Sequence, residues 1–128
     1  MSPTRSNQFI PIERDQPFVI PVQEWLTADH LARFIVEIVE GLDVTALEAA
    51  YGGGGSAPYP PKMMLALLFY GYATGIFSSQ VLERATYELI PVIYLTGNTH
   101  PDHNSSNTFR KRLLGELNGL LVQILLRA

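Results

Sequence analysis

The chain contains no cysteine. That excludes disulfide bridges and thiolate metal sites, and it removes the residue that reports most directly on redox compartment. An apolar stretch of membrane-spanning length is lacking too. The longest apolar run, Met63 to Phe77, is interrupted by two glycines and falls short of the roughly 20 residues a bilayer requires. It reads as a buried core helix. The N-terminus, MSPTRSNQFIPIERDQPFVIP, has prolines and charges where a signal peptide carries its apolar centre. A cytoplasmic location without membrane contact is therefore the expectation. There is no internal repeat, and no serine, histidine and acid arrangement stands out for nucleophilic catalysis. Net positive charge is also missing. The formal charge of −3 weighs against a general nucleic-acid binder, whose domain is usually basic.

The 128 residues, of which 47% are hydrophobic, suit one domain (1–128) with a sizeable core. Charge within it is uneven. Residues 1–60 balance to −5, residues 61–97 to zero and residues 98–128 to +2. Affinity for phosphate follows the local field more than the sum. The basic end is therefore where an anionic partner belongs.

Residues 1–21 are punctuated by Pro3, Pro11, Pro17 and Pro21 and read as an extended arm. A first helix follows, with Thr27 as its N-cap, Asp29 in its first turn and Leu31, Phe34, Ile35, Ile38 and Val39 at helical spacing. Gly41 stops it, and Asp43 can cap a second, short helix. The four glycines before Ser56 place a flexible loop at residues 52–60. A phosphate cradle does not fit there. No apolar strand precedes the glycines, and Lys62 is followed by Met63 instead of serine or threonine. Pro61 opens a helix that is apolar almost all round, and Gly75 ends it. Ser78 or Ser79 caps the next helix, with Val81, Leu82, Ala85 and Leu89 on one face. Pro91 starts a short helix closed by Gly97, and the last helix runs from about Asn104. The fold class is all-α: a compact helical bundle with the extended N-terminal arm.

The last helix carries the chemistry. With Phe109 at zero and about 100° per residue, Leu113, Leu117, Leu120 and Ile124 fall within about 80° of it, an apolar stripe facing the bundle. Asn104, Asn107, Thr108 and Lys111 share the opposite side, and Arg110 and Arg112 flank it. With Ser105 these seven form the candidate DNA-binding set. Amides read base edges, hydroxyls bond phosphates or bases, and cations hold phosphates. A helix offered N-terminal end outward is how helix-turn-helix modules enter a groove. Polar residues opposite an apolar stripe are equally what any surface helix shows. Ser106 breaks the stripe on its buried side, where an aliphatic is expected, so the first turn is expected to fray. His100 and His103, with Asp102 between them, have no evident third ligand. The expectation is that Asp102 or Asn104 caps the helix and the imidazoles decorate the turn, with no metal and no cofactor. Asp29, Glu37, Glu40, Asp43 and Glu48 read as solvated faces.

The segment YPPKMMLALLFYGYATGIFSSQVLERATYELIPVIYLTGNTHPDHNSSNTFRKRLL resembles the N-terminal, InsH-like domain of bacterial insertion-sequence transposases of the DDE type. The upstream pieces FIPIERDQPFVIP and WLTADHLARFIVEIVEGLD fit the same family, so nearly the whole chain is covered. The most specific pieces are GIFSSQVLERA and TGNTHPDH followed by FRKR. At one position the chain departs: Ser106 stands where the family carries an aliphatic. The resemblance implies a helix-turn-helix-like C-terminal half that recognises the element's terminal inverted repeats in double-stranded DNA during DNA transposition and recombination. It implies a nucleoid-associated protein when bound. Catalysis would lie in a separate ribonuclease-H-like DDE domain, which is absent up to Ala128; the chain is therefore expected to be non-catalytic. The leucine-rich tail LLGELNGLLVQILLRA offers an alternative, a helical interaction module that pairs two copies or binds a full-length transposase.

Overall fold

The computed structural model describes residues 9–12, 14, 22–49 and 59–127. Most of the expected arm (1–21) and of the glycine-rich loop (52–60) lies outside them. Among the described residues the helices are, in order, α1 (Val22–Trp25), α2 (Leu31–Glu40), α3 (Thr45–Ala49), α4 (Pro61–Thr74), α5 (Ser79–Glu88), α6 (Ile90–Thr96) and α7 (His103–Arg127). No strand occurs among the described residues, so the fold is all-α as expected.

The bundle is organised around α4. Pro61 begins it without costing a hydrogen bond, because the first N–H groups of a helix have no intrahelical acceptor. Met63 to Leu68 are all buried, so the middle of α4 has no solvent face and is covered on every side. It packs on α2, α6 and α7. Gly75 ends it in the left-handed region, φ 84°, where a residue with a Cβ is disfavoured. The chain then turns back at once. The Ile76 N–H donates to the Gly71 carbonyl at 2.7 Å, and α5 leaves α4 at 102°.

Two expectations for α2 are corrected. Its N-cap is His30, whose Nδ1 accepts the Ala32 N–H at 3.0 Å. Thr27 instead offers its carbonyl to the His30 N–H and to Arg33 Nε, so neither Thr27 nor Asp29 belongs to the helix. The buried face is Ala32, Ile35 and Val39, while Leu31 and Phe34 are exposed. The small Ala32 lets α2 approach α4 and α6 closely, which turns the bulkier neighbours outward. On α5, Leu82, Ala85 and Thr86 are buried, whereas Val81 and Leu89 are exposed. Thr86 tolerates burial because its hydroxyl donates to the Glu83 carbonyl at 2.6 Å. The short α1 against α6 was not anticipated.

Other local signals hold. The Asp43 carboxylate accepts the Thr45 N–H at 3.0 Å, and Ser78 Oγ accepts that of Val81. Gly97, φ 59°, closes α6. Of the arm, Ile12 packs against the core and Arg14 Nε donates to the Leu95 carbonyl at 2.9 Å.

The close return at Gly71 gives a first prediction. A Cβ there would meet the Ile76 carbonyl oxygen at 2.8 Å, and backbone cannot swing aside. Gly71→Ala is expected to destabilise by about 1–3 kcal/mol, despite alanine's better helix propensity, and a urea titration followed by circular dichroism measures it. Ser106 gives a second. It is 1% exposed and its hydroxyl has no hydrogen-bond partner. Ser106→Ala removes an unmet polar atom and is expected to stabilise by about 1 kcal/mol, seen as a raised thermal midpoint.

Candidate functional site

α7 is seated by Phe109, Leu113 and Leu120, all buried, with Leu117 and Ile124 packed against the core. This is the stripe that the 3.6-residue period places inward. It packs on α3, α4 and α5. With that side down, Asn104, Asn107, Thr108 and Lys111 are exposed together along the first three turns.

The other three candidates are partly engaged. The Ser105 N–H donates to Asp102 Oδ1 at 2.7 Å. Arg110 is half-buried. Its Nη2 donates to the Phe77 carbonyl at 3.2 Å and its guanidinium lies 5.6 Å from the Tyr72 ring centroid, so it ties α7 to the α4–α5 connection. Arg112 is half-buried as well. Lys111 is the most open of the three consecutive cations.

The start of α7 is held by two carboxylates. Asp102 is the N-terminal cap, as expected. The bond from the Ser105 N–H, the largest cause, holds its carboxyl below the ordinary aspartate value of 3.8. The second, Glu83 on α5, was not anticipated. Its Oε1 accepts both the His103 backbone N–H and the His103 Nδ1 proton, each at 2.9 Å. Those bonds, side chain first, hold Glu83 below its ordinary value of 4.5. No break shows where fraying is expected: α7 is helical from His103, and two of its first amides have acceptors. The imidazoles are likewise not decoration. The His100 ring stacks on Tyr87 at 3.8 Å and 5°, with Nδ1 3.2 Å from Thr86 Oγ1. Both histidines staple the α6–α7 turn to α5. Among the described residues no group of three His, Cys, Asp or Glu side chains could hold a metal ion. No single helix among them is long and apolar enough to cross a membrane.

The staple has a pH signature. A carboxylate whose folded pKa is depressed adds stability above its unfolded pKa and loses it as pH falls through the folded value. Glu83 and Asp102 therefore stabilise the start of α7 near neutrality, and that contribution is lost progressively as pH falls below their ordinary values of 4.5 and 3.8 and through the lower folded ones. Glu83→Gln is expected to lower the thermal midpoint at pH 7, while wild type and variant converge in acid once Glu83 is protonated in the folded state. Equal midpoints at pH 7 contradict the staple.

A protein-family model described as "Transposase domain (DUF772)" matches residues 21–112. No curated protein and no solved structure matches the chain.

Proposed function

Since the chain belongs to this insertion-sequence transposase-related domain family, we propose that it is a DNA-binding domain whose α7 recognises the inverted-repeat ends of a mobile element. The observation that carries this reading is the joint exposure of Asn104, Asn107, Thr108 and Lys111 on a helix whose opposite side is locked into the core. The groups suit a major groove. An asparagine amide can donate and accept against an adenine edge, a hydroxyl bonds phosphate or base, and an ammonium neutralises phosphate.

The arrangement of α6 and α7 supports a helix-turn-helix-like reading. Gly97 and Asn98, both at positive φ, turn the chain out of α6, and α6 and α7 each pack on α5. Arg110 and Arg112 flank the exposed side and would follow the phosphate backbone. In this reading the chain recognises and positions DNA ends, and strand cleavage is carried out elsewhere.

Gel shifts on a duplex carrying the element's terminal repeat test the proposal. Lys111→Ala is expected to weaken binding to specific and unrelated duplexes alike and to reduce the slope of log K against log salt by about 1. Asn107→Ala is expected to cost about 1–3 kcal/mol on the repeat and little on unrelated DNA. The triple replacement of Arg110, Lys111 and Arg112 by alanine should abolish most affinity while helical content stays. Undiminished binding by that triple variant overturns the assignment of the face.

A further inference from the structure

In α6, Val92 to Thr96 are all buried, so the helix that reaches the outer surface beside α7 is α5. Two contacts fix how α5 lies along it. Glu83 meets His103, and the Phe77 carbonyl meets Arg110. Moving along α7 from His103 to Arg110 therefore runs back along α5 towards Phe77, and the two helices are antiparallel. Gln80 is midway between Phe77 and Glu83, and Asn107 is close to midway between His103 and Arg110. The two residues are level with each other across the α5–α7 contact. They also turn the same way. At about 100° per residue, Gln80 lies about 60° outward of Glu83, and Asn107 about 40–60° outward of His103 and Arg110. Both are exposed, and among the described residues neither side-chain amide has a hydrogen-bond partner. Packed helices stand about 8–10 Å apart axis to axis, so the two amides border one shallow groove.

We propose that Gln80 belongs to the DNA-reading surface as the positioning residue for Asn107, a role that rests on the DNA-binding reading of α7 given above. Hydrogen-bond satisfaction carries it. An asparagine side chain has two N–H groups and one carbonyl oxygen. On an adenine edge its oxygen accepts from N6 and one N–H donates to N7. The second N–H then needs an acceptor in a groove emptied of water, where a stranded donor is costly. Gln80 Oε1, level with Asn107, accepts it. The Gln80 N–H groups are left pointing away from Asn107, towards the phosphates that border the groove, where a side-chain amide donates readily. Phosphate, Gln80, Asn107 and adenine form one chain in which each donor meets an acceptor. The same bond sets specificity. Turned over, the Asn107 amide would offer N–H to guanine O6; an acceptor fixed on its nitrogen side opposes that turn.

A double-mutant cycle, read by gel shift on the terminal-repeat duplex, tests the pair. Gln80→Ala is expected to weaken binding about tenfold with Asn107 present and at most about twofold with Asn107 already alanine, because the two act as a unit. The thermal midpoint of the free chain should not change. Gln80→Glu keeps the acceptor and loses the donor. It should weaken binding to repeat and unrelated duplexes alike, yet keep the preference for adenine over guanine at the base pair that Asn107→Ala identifies. Gln80→Ala should lose that preference. Equal losses in both Asn107 backgrounds mark a phosphate contact alone and overturn the proposal. Should Gln80→Ala also lower the midpoint, Gln80→Glu decides: a retained adenine preference supports the role and a lost one overturns it. Binding that Asn107→Ala leaves untouched overturns the whole face, Gln80 included. Binding that Asn107→Ala weakens and Gln80→Ala does not overturns the role of Gln80 alone.

Discussion

The burial of Phe109 determines what α7 can show to solvent. Its ring is fully inside, one turn ahead of Leu113. Turning the helix by one residue would expose it and press Arg110 or Thr108 into the core. Exposing the ring forfeits about 1.5–3 kcal/mol, and an unpaired buried charge costs far more. The facing of Asn107 and Lys111 thus follows from an apolar contact on the opposite side. Distal to it, Gln123 exchanges two hydrogen bonds with the Asp43 backbone, at 2.7 and 3.0 Å. With the Glu83 contact at the start, α7 is held at both ends as well as along its seat.

What the sequence made legible follows range. The stripe of α7, the caps at Asp43, Ser78 and Asp102, and the stops at Gly41, Gly75 and Gly97 depend on residues within four positions of each other, and the structure shows them. Thr27 had the right residue type for a cap, yet Arg33 bonds the Leu26 and Thr27 carbonyls while its guanidinium lies over the Tyr94 ring. That long-range contact with α6 moved the helix start to His30. The Glu83–His103 and Tyr87–His100 contacts span 20 and 13 positions, and no local pattern marks a glutamate on α5 as the cap of α7. On the candidate face the exposed members were legible from periodicity. The engagement of Arg110 with Phe77 and Tyr72 was not, because it depends on where the α4–α5 turn goes.

The two capping carboxylates also bear on how a phosphate could approach. A helix N-terminus is ordinarily an anion site, with unsatisfied amides and the positive end of the dipole. On α7, Asp102 and Glu83 already accept those amides and place negative charge there. Attraction for a polyanion must then come from the flank of the helix, where Lys111, Arg110 and Arg112 lie. This agrees with the charge balance of −3 for the chain but +2 for residues 98–128, since the useful field is confined to one side of one helix. It also favours a partner lying along α7 over a single anion at its tip.

α7 could not be the helix it is on its own. Its 25 residues include Gly115 and Gly119, each with open space where a Cβ would lie, and a run of Asn, Ser and Thr in its first turns. Glycine costs about 1 kcal/mol against alanine in a helix interior, and short polar side chains compete for the backbone. The continuity of α7 is therefore supplied by tertiary packing more than by propensity. The same packing holds its exposed polar turns in one orientation relative to the bundle. An isolated peptide of this sequence would lose that orientation, whereas on the bundle exposed positions can be altered without disturbing the buried seat.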